Sequence, residues 1–297
     1  MLNKKQVWNL VKLFLKIILS AIAIGYVFSK LDLSAIGKAI FSANPWWLLV
    51  ALMVYVASQL ISAFRLGTLF GAIDLNIPYK SNVRLYWLGM FYNFFLPGGV
   101  GGDGYKVFFI NKYYKTPVKS LLVTIFSDRL SGLSVILVYL LALIYYIEYS
   151  FAYQGFLFLL IPLVSAGFYL FLYVFGRRLT KVFWHVSGYS LLIQGMQMVT
   201  AIFILMSMNA ITAEQTHDYL FLFLLSSIAS AVPITLGGIG AREMTFAIGS
   251  QYLGTNQEHA VALSLLFYII SLISSLPGIV YTLKPDLIRT CQVATEG

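Results

Sequence analysis

Two glycine-rich runs bearing ionisable side chains are the part of this sequence most able to do chemistry. The first, Leu96-Pro-Gly-Gly-Val-Gly-Gly-Asp-Gly-Tyr-Lys106, holds Gly98, Gly99, Gly101, Asp103 and Lys106 behind Pro97. The second, Pro233-Ile-Thr-Leu-Gly-Gly-Ile-Gly-Ala-Arg-Glu243, holds Gly237, Gly238, Gly240, Arg242 and Glu243. Superposing Gly98-Gly-Val-Gly101 on Gly237-Gly-Ile-Gly240 sets Asp103 opposite Arg242, so the two breaks carry opposite charges. The chemistry this suits is anion recognition. A guanidinium grips phosphate through a planar fork of donors. Glycine turns and the helix N-terminal N–H groups behind them add anion-binding capacity. Asp103 and Glu243 then tune head-group selectivity or pair with the arginines, and Asn93 and Lys106 flank the first break where a head group would be oriented. Asp128 and Arg129 sit side by side in an apolar helix; adjacent residues diverge on a helix, so each must find a partner elsewhere. The structural alternative for all these groups is a set of internal ion pairs and caps holding broken helices together.

Other chemistries find little support. His185, His217 and His259 are isolated, without metal-ligand spacing. Residues 98–104 lack the Gly-Lys-Ser/Thr ending of a nucleotide-binding P-loop. The single cysteine, Cys291, excludes a disulfide framework within the chain. No Ser/His/Asp or Cys/His arrangement and no paired carboxylates are visible. The expectation is a protein that is not an enzyme and needs no cofactor.

The elements that position these residues are membrane helices. The 297 residues are 60% hydrophobic and 10% charged, with mean hydropathy +0.84. This is the profile of an all-α polytopic membrane bundle, a single transmembrane domain over residues 1–297. The net charge of +9 is not read as a nucleic-acid surface, because the basic residues cluster at predicted membrane ends. Lys4, Lys5, Lys12 and Lys16 precede a first span at 13–28, read as an uncleaved signal anchor. A short interfacial helix is expected at 32–41, then spans at 46–64, 118–147, 156–175, 189–208 and 260–283, with Asn44-Pro45 starting the second. The apolar run 85–96 would reach only about 18 Å as a helix, against a bilayer core of about 30 Å. Residues 84–115 therefore read as a re-entrant broken-helix hairpin with helix resuming at Asp103 as its N-cap. Residues 218–254 read as a second hairpin.

With the N-terminus inside, every lysine and arginine except Lys30, Lys38, Arg129 and Arg242 falls on the cytoplasmic side, Arg65 and Lys106 included. Residues 46–147 and 189–283 then form two repeats, inverted by the span between them. Asp103 and Arg242 are expected near their meeting point at mid-membrane, facing each other.

Three motifs in order, Asn93…Leu-Pro-Gly-Gly…Gly-Asp103, Ser127-Asp-Arg-Leu-Ser-Gly132 and Pro233…Gly-Gly-Ile-Gly-Ala-Arg-Glu243, resemble the transmembrane region of bacterial lysylphosphatidylglycerol synthases and their stand-alone, flippase-like relatives. The resemblance covers nearly the whole chain. Those synthases join a lipid-flipping membrane domain to a soluble aminoacyl-transferase domain, and a stand-alone membrane domain without the transferase is expected here. What the resemblance implies is flipping without synthesis, in the cytoplasmic membrane of a bacterium or archaeon. The substrate would be a polar-headed lipid: an anionic phospholipid, an aminoacylated lipid or a lipid-linked sugar. The implied protein partner is a separate lipid-modifying enzyme. An intramembrane transferase acting on a lipid-linked substrate and a scaffold in envelope assembly are the rival readings.

Overall fold

The computed structural model describes residues 33–95, 101–147, 154–211, 215–231, 240–284 and 286–289. The span expected at 13–28, and Gly98, Gly99, Gly237 and Gly238, lie outside the described residues. Within them the chain is all-helical: α1 (Leu33–Phe41), α2 (Pro45–Ala72), α3 (Tyr79–Phe95), α4 (Gly101–Tyr114), α5 (Val118–Leu143), α6 (Leu160–Phe175), α7 (Phe183–Ser207), α8 (Thr216–Ala231), α9 (Ala241–Leu253), α10 (Gln257–Ser275), α11 (Gly278–Leu283) and α12 (Asp286–Arg289).

Five segments are long and apolar enough to cross a membrane: Pro45–Ala72, Val118–Tyr146, Phe156–Phe175, Arg177–Ser207 and Gln257–Leu283. They coincide with five of the spans expected from hydropathy. Phe156–Phe175 is the least covered by protein, with Leu163, Leu170, Val174 and Phe175 all exposed. On a membrane protein that surface is the lipid-facing one.

The remaining helices near the glycine breaks are too short to cross. α3 has 17 residues, α4 14, α8 16 and α9 13; at 1.5 Å per residue none exceeds about 26 Å. α3 packs on α4, and α8 on α9, as the arms of two hairpins. The first pair is in backbone contact: a Cβ on Gly102 would stand 1.9 Å from the Gly89 carbonyl oxygen, so nothing larger than glycine fits there.

Local sequence explains the ends. Asn44 caps α2 by accepting from the Trp46 N–H at 2.9 Å, with Pro45 in the first turn. Gly240, at φ 89°, precedes α9 in a conformation that side chains avoid. Three expectations are corrected. Arg65 does not end the second span. An apolar run follows it, the helix continues to Ala72, and Asp74 stops it at φ 61°. α3 starts at Tyr79 rather than 84, because its polar first turn is satisfied by protein: Asn82 donates to the Ala63 carbonyl at 2.6 Å and Ser81 to the Ile288 carbonyl at 2.9 Å. α4 starts at Gly101, so Asp103 lies in its first turn and is not its N-cap.

The helices of the two halves pack reciprocally. α2 and α7 make the most extensive contact in the molecule, and both bury small side chains, among them Ala51, Ser58, Ser62 and Ala63 on α2 and Ser190 and Ala201 on α7. Such residues let helix backbones approach closely in a membrane. Around this pair, α5 touches α7 and α8, while α10 touches α2 and α3. Each hairpin's second arm packs on the helix that follows it, α4 on α5 and α9 on α10. The arrangement brings the ends of α3 and α8 towards one another near the centre of the bundle.

Candidate functional site

Three polar clusters occupy the interior, and each predicted ionisable residue falls into one of them. The first locks three long helices together. Arg65 on α2 donates from Nε to Asp128 Oδ1 on α5 at 2.8 Å and from Nη1 to Ser190 Oγ on α7 at 2.9 Å. Ser190 Oγ in turn donates to Ser131 Oγ at 3.1 Å. Both charged residues are buried, Arg65 at 6% and Asp128 at 8% exposure. Arg65 and Lys106 are therefore buried within the protein, on helices and not in loops. The clue to Arg65 was an arginine with apolar sequence on both sides, the expected mark of an intramembrane charge with a partner.

The second cluster gathers Asp103, Lys106 and Arg129. The Asp103 carboxylate accepts from Lys106 Nζ at 3.2 Å and, through its other oxygen, from Arg129 Nε. Lys106 is buried, its Nζ lies 4.7 Å from the centre of the Tyr86 ring, and its stem fills the space a side chain on Gly89 would take. Asp128 and Arg129 thus find separate partners, as their divergence on α5 required. The expected pairing of Asp103 with Arg242 is not formed: no ion pair joins them among the described residues. Arg129, on the next helix in the chain, takes the place assigned to Arg242 because α5 packs directly on α4.

The third cluster surrounds Arg242 on α9. Its Cζ stands 4.8 Å from the Phe267 ring centre and 5.8 Å from that of Phe223, so aromatic faces flank the guanidinium. Its Nε and Nη2 are buried and have no hydrogen-bond partner among the described residues. Glu243, next along the chain, is committed elsewhere. One carboxylate oxygen accepts from the Gly240 N–H at 2.7 Å, half of a capping box, and the other from Ser264 Oγ at 3.0 Å. Glu243 is therefore structural, holding the start of α9 against α10.

Arg242 lines a cavity of about 200 Å³ whose other walls are Tyr55, Asn93, Phe94, Ser230, Phe267, Tyr268 and Ser271. These residues come from α2 and α3 in one half and from α8, α9 and α10 in the other. Asn93 sits near the end of α3 and Ser230 near the end of α8, so the first arms of both hairpins terminate at this cavity. Asn93 also accepts from the Gly102 N–H at 2.9 Å, which ties the cavity to the helix turn bearing Asp103. Of the predicted residues, then, Asn93 and Arg242 share one site. Gly101, Asp103, Lys106 and Arg129 stand at a neighbouring cluster, and Asp128 belongs to the lock. Tyr55, Ser230, Phe267, Tyr268 and Ser271 were not foreseen; aromatic and hydroxyl residues are so common in this chain that no local signal distinguishes them.

What such a cavity can do is hold a small anion. A guanidinium with an open edge, beside amide and hydroxyl groups, offers several directed donors in a medium where each is strong.

Similarity to known proteins agrees with these features. Over 111 residues the chain is 30% identical to UPF0104 membrane protein PH1989 of Pyrococcus horikoshii, covering 36% of this chain and 33% of that protein. The match thus spans about a third of that curated relative. The profile of the lysylphosphatidylglycerol synthase TM region matches residues 13–278, which include every long helix, both hairpins and the Arg242 cavity. With its five membrane-crossing segments, the chain is a multi-pass membrane protein and belongs to the lysylphosphatidylglycerol synthase TM region family.

Proposed function

We propose that the protein carries a polar-headed lipid between the leaflets of the cytoplasmic membrane, the head group passing through the Arg242 cavity while the tails remain in the bilayer. The observation that carries this reading is the Nε–Nη2 edge of Arg242, buried without a partner among the described residues on a cavity that both hairpins reach. A buried guanidinium edge with unmet donors is costly, and a ligand that completes it is the simplest reason to retain it. The reciprocal packing of α2, α3 and α5 with α7, α8 and α10 supports an inverted repeat with two re-entrant hairpins, the architecture in which broken helices meet at a substrate site. The lipid leaves chemically unchanged, and both termini lie in the cytoplasm.

The test is reconstitution of the purified chain into unilamellar liposomes containing a trace of fluorescent phospholipid. A membrane-impermeant quencher is expected to reach inner-leaflet label faster than in protein-free liposomes, and chromatography is expected to recover the lipid unaltered. Equal rates with and without protein would remove the transport reading; a converted lipid would put a transferase in its place.

The re-entrant geometry has its own test. Single cysteines at Lys80 and Lys115, on a Cys291→Ser background, are expected to react with an impermeant thiol reagent from the same membrane face, since α3 and α4 are each too short to cross. Labelling from opposite faces would make α3 and α4 a crossing pair.

A further inference from the structure

We infer that a second, apolar groove between α2, α3 and α10 receives one hydrocarbon chain of the lipid being moved, and so marks the side on which that lipid reaches the Arg242 cavity. This rests on the transport reading.

The groove encloses about 430 Å³ and is walled by Leu52 and Val56 of α2, Val83 and Trp87 of α3, and Ile273 and Ser274 of α10, with Pro277 and Tyr281 beyond them in the chain. No charged residue lines it among the described residues. Apart from the Tyr281 phenol, its polar groups are engaged within the protein. Trp87 Nε1 donates to the Ser274 carbonyl at 3.0 Å, and Ser274 Oγ donates to the Ile270 carbonyl at 2.8 Å. The rim faces outwards: Ile273 is exposed, as are Val280 and Leu276 on the same membrane-crossing segment. A polar guest would give up hydrogen bonds here and regain few, whereas a hydrocarbon chain gives up none.

The occupant follows from where the groove leads. The helices that wall it, α2, α3 and α10, also wall the Arg242 cavity. They do so with the same faces. On α3, Phe94 of the cavity comes seven residues after Trp87 of the groove. On α10, Phe267 and Ser271 of the cavity are followed at the next position on that face by Ser274 of the groove. On α2, Tyr55 of the cavity comes three residues after Leu52 and directly before Val56. Residues three, four or seven apart share one face of a helix. A lipid whose head group meets Arg242 and Asn93 therefore has this seam along which to lay a chain.

Length agrees. From Phe94 back to Val83 is eleven residues, about 16 Å of helix, and from Phe267 to Pro277 is ten, about 15 Å. Half of a hydrocarbon core of about 30 Å is the same distance. The seam thus spans one leaflet, from the end of α3 to its start beside Lys80 and Arg84, which is the cytoplasmic leaflet in the transport reading. Lipid chains are as apolar as these walls, so the groove supplies a passage more than affinity, and filling it acts on rate.

The test has two arms, both on the full chain in unilamellar liposomes. In the first, Val56→Trp and Val83→Trp fill the groove and are expected to slow leaflet exchange of the fluorescent phospholipid about tenfold. Leu163→Trp, on the exposed face of α6, is expected to leave the rate unchanged. In the second, a phospholipid of the same head group carries a photoreactive diazirine midway along one acyl chain. Its cross-links to the wild type are expected to concentrate on residues 83–87 and 273–281 rather than on α6, and to fall severalfold in Arg242→Ala, because head and chain belong to one molecule. Folded groove variants with the wild-type rate would overturn the inference and leave the transport reading standing. So would cross-links spread evenly over the exposed helices, which are bulk bilayer contact, or groove cross-links indifferent to Arg242→Ala, which are a resident lipid separate from the cargo. If the tryptophan variants do not fold, the cross-link pattern decides. Equal exchange with and without wild-type protein would remove the transport reading itself, and this inference with it.

Discussion

Arg242→Ala is expected to slow lipid movement by about 10- to 100-fold without lowering the stability of the protein. The loss corresponds to charge-assisted hydrogen bonds of about 1.5–3 kcal/mol, at about 1.4 kcal/mol per factor of ten. The stability half of the expectation separates a site from a scaffold. Among the described residues Arg242 makes no ion pair and two of its buried nitrogens lack partners, so removing it deletes a desolvation cost and forfeits chiefly its contact with Phe223 and Phe267. A purely structural arginine would behave in the opposite way. Leaflet-exchange rates in liposomes and thermal unfolding in detergent, measured on the same preparation, check both halves. Wild-type transport in a well-folded variant would take Arg242 out of the path; a large fall in stability would make it structural.

Asp128→Ala is expected to cost about 3–5 kcal/mol of stability, because it strands the Arg65 guanidinium between α2, α5 and α7. Removing both partners is a different matter. Two buried ions replaced by apolar side chains of similar volume often leave stability unchanged or raised, so Arg65→Leu with Asp128→Leu is expected to recover most of the loss. Denaturant unfolding of the two single variants and the double variant closes the cycle. Additive losses in the double variant would mean that the pair is not a coupled unit. Arg242 contrasts with Arg65: the two have opposite expected phenotypes, since Arg65 is held by Asp128 and Ser190 while Nε and Nη2 of Arg242 have no partner among the described residues.

Much of the architecture can be read from order and composition. Apolar runs of membrane length place the five spans, and apolar runs too short to cross, each followed by a glycine-rich run, mark the hairpins within 84–115 and 218–254. These features are local, set by hydropathy over one segment and by the backbone freedom of glycine, so a linear reading recovers them. The same reading identifies Asn93 and Arg242 as candidates, because polar groups at membrane depth are rare enough to be conspicuous.

Partnership was not legible. Superposed glycine runs suggested Asp103 with Arg242, whereas the packing of α4 on α5 delivers Arg129, and α2 against α5 delivers Arg65 to Asp128. Nor did sequence show that Glu243 is consumed by Gly240 and Ser264, or that Tyr55, Ser230 and Ser271 meet around Arg242. An ion pair depends on which helix faces meet, at what height and in which rotation. Those quantities are set by ridge, groove and small-residue contacts summed over the whole bundle, and a shift of one residue turns a side chain by about 100°. By itself the sequence determined which elements exist and which charges the membrane interior must accommodate. The tertiary structure alone decided which of those charges find partners within the protein and that Arg242, among the described residues, keeps an open edge.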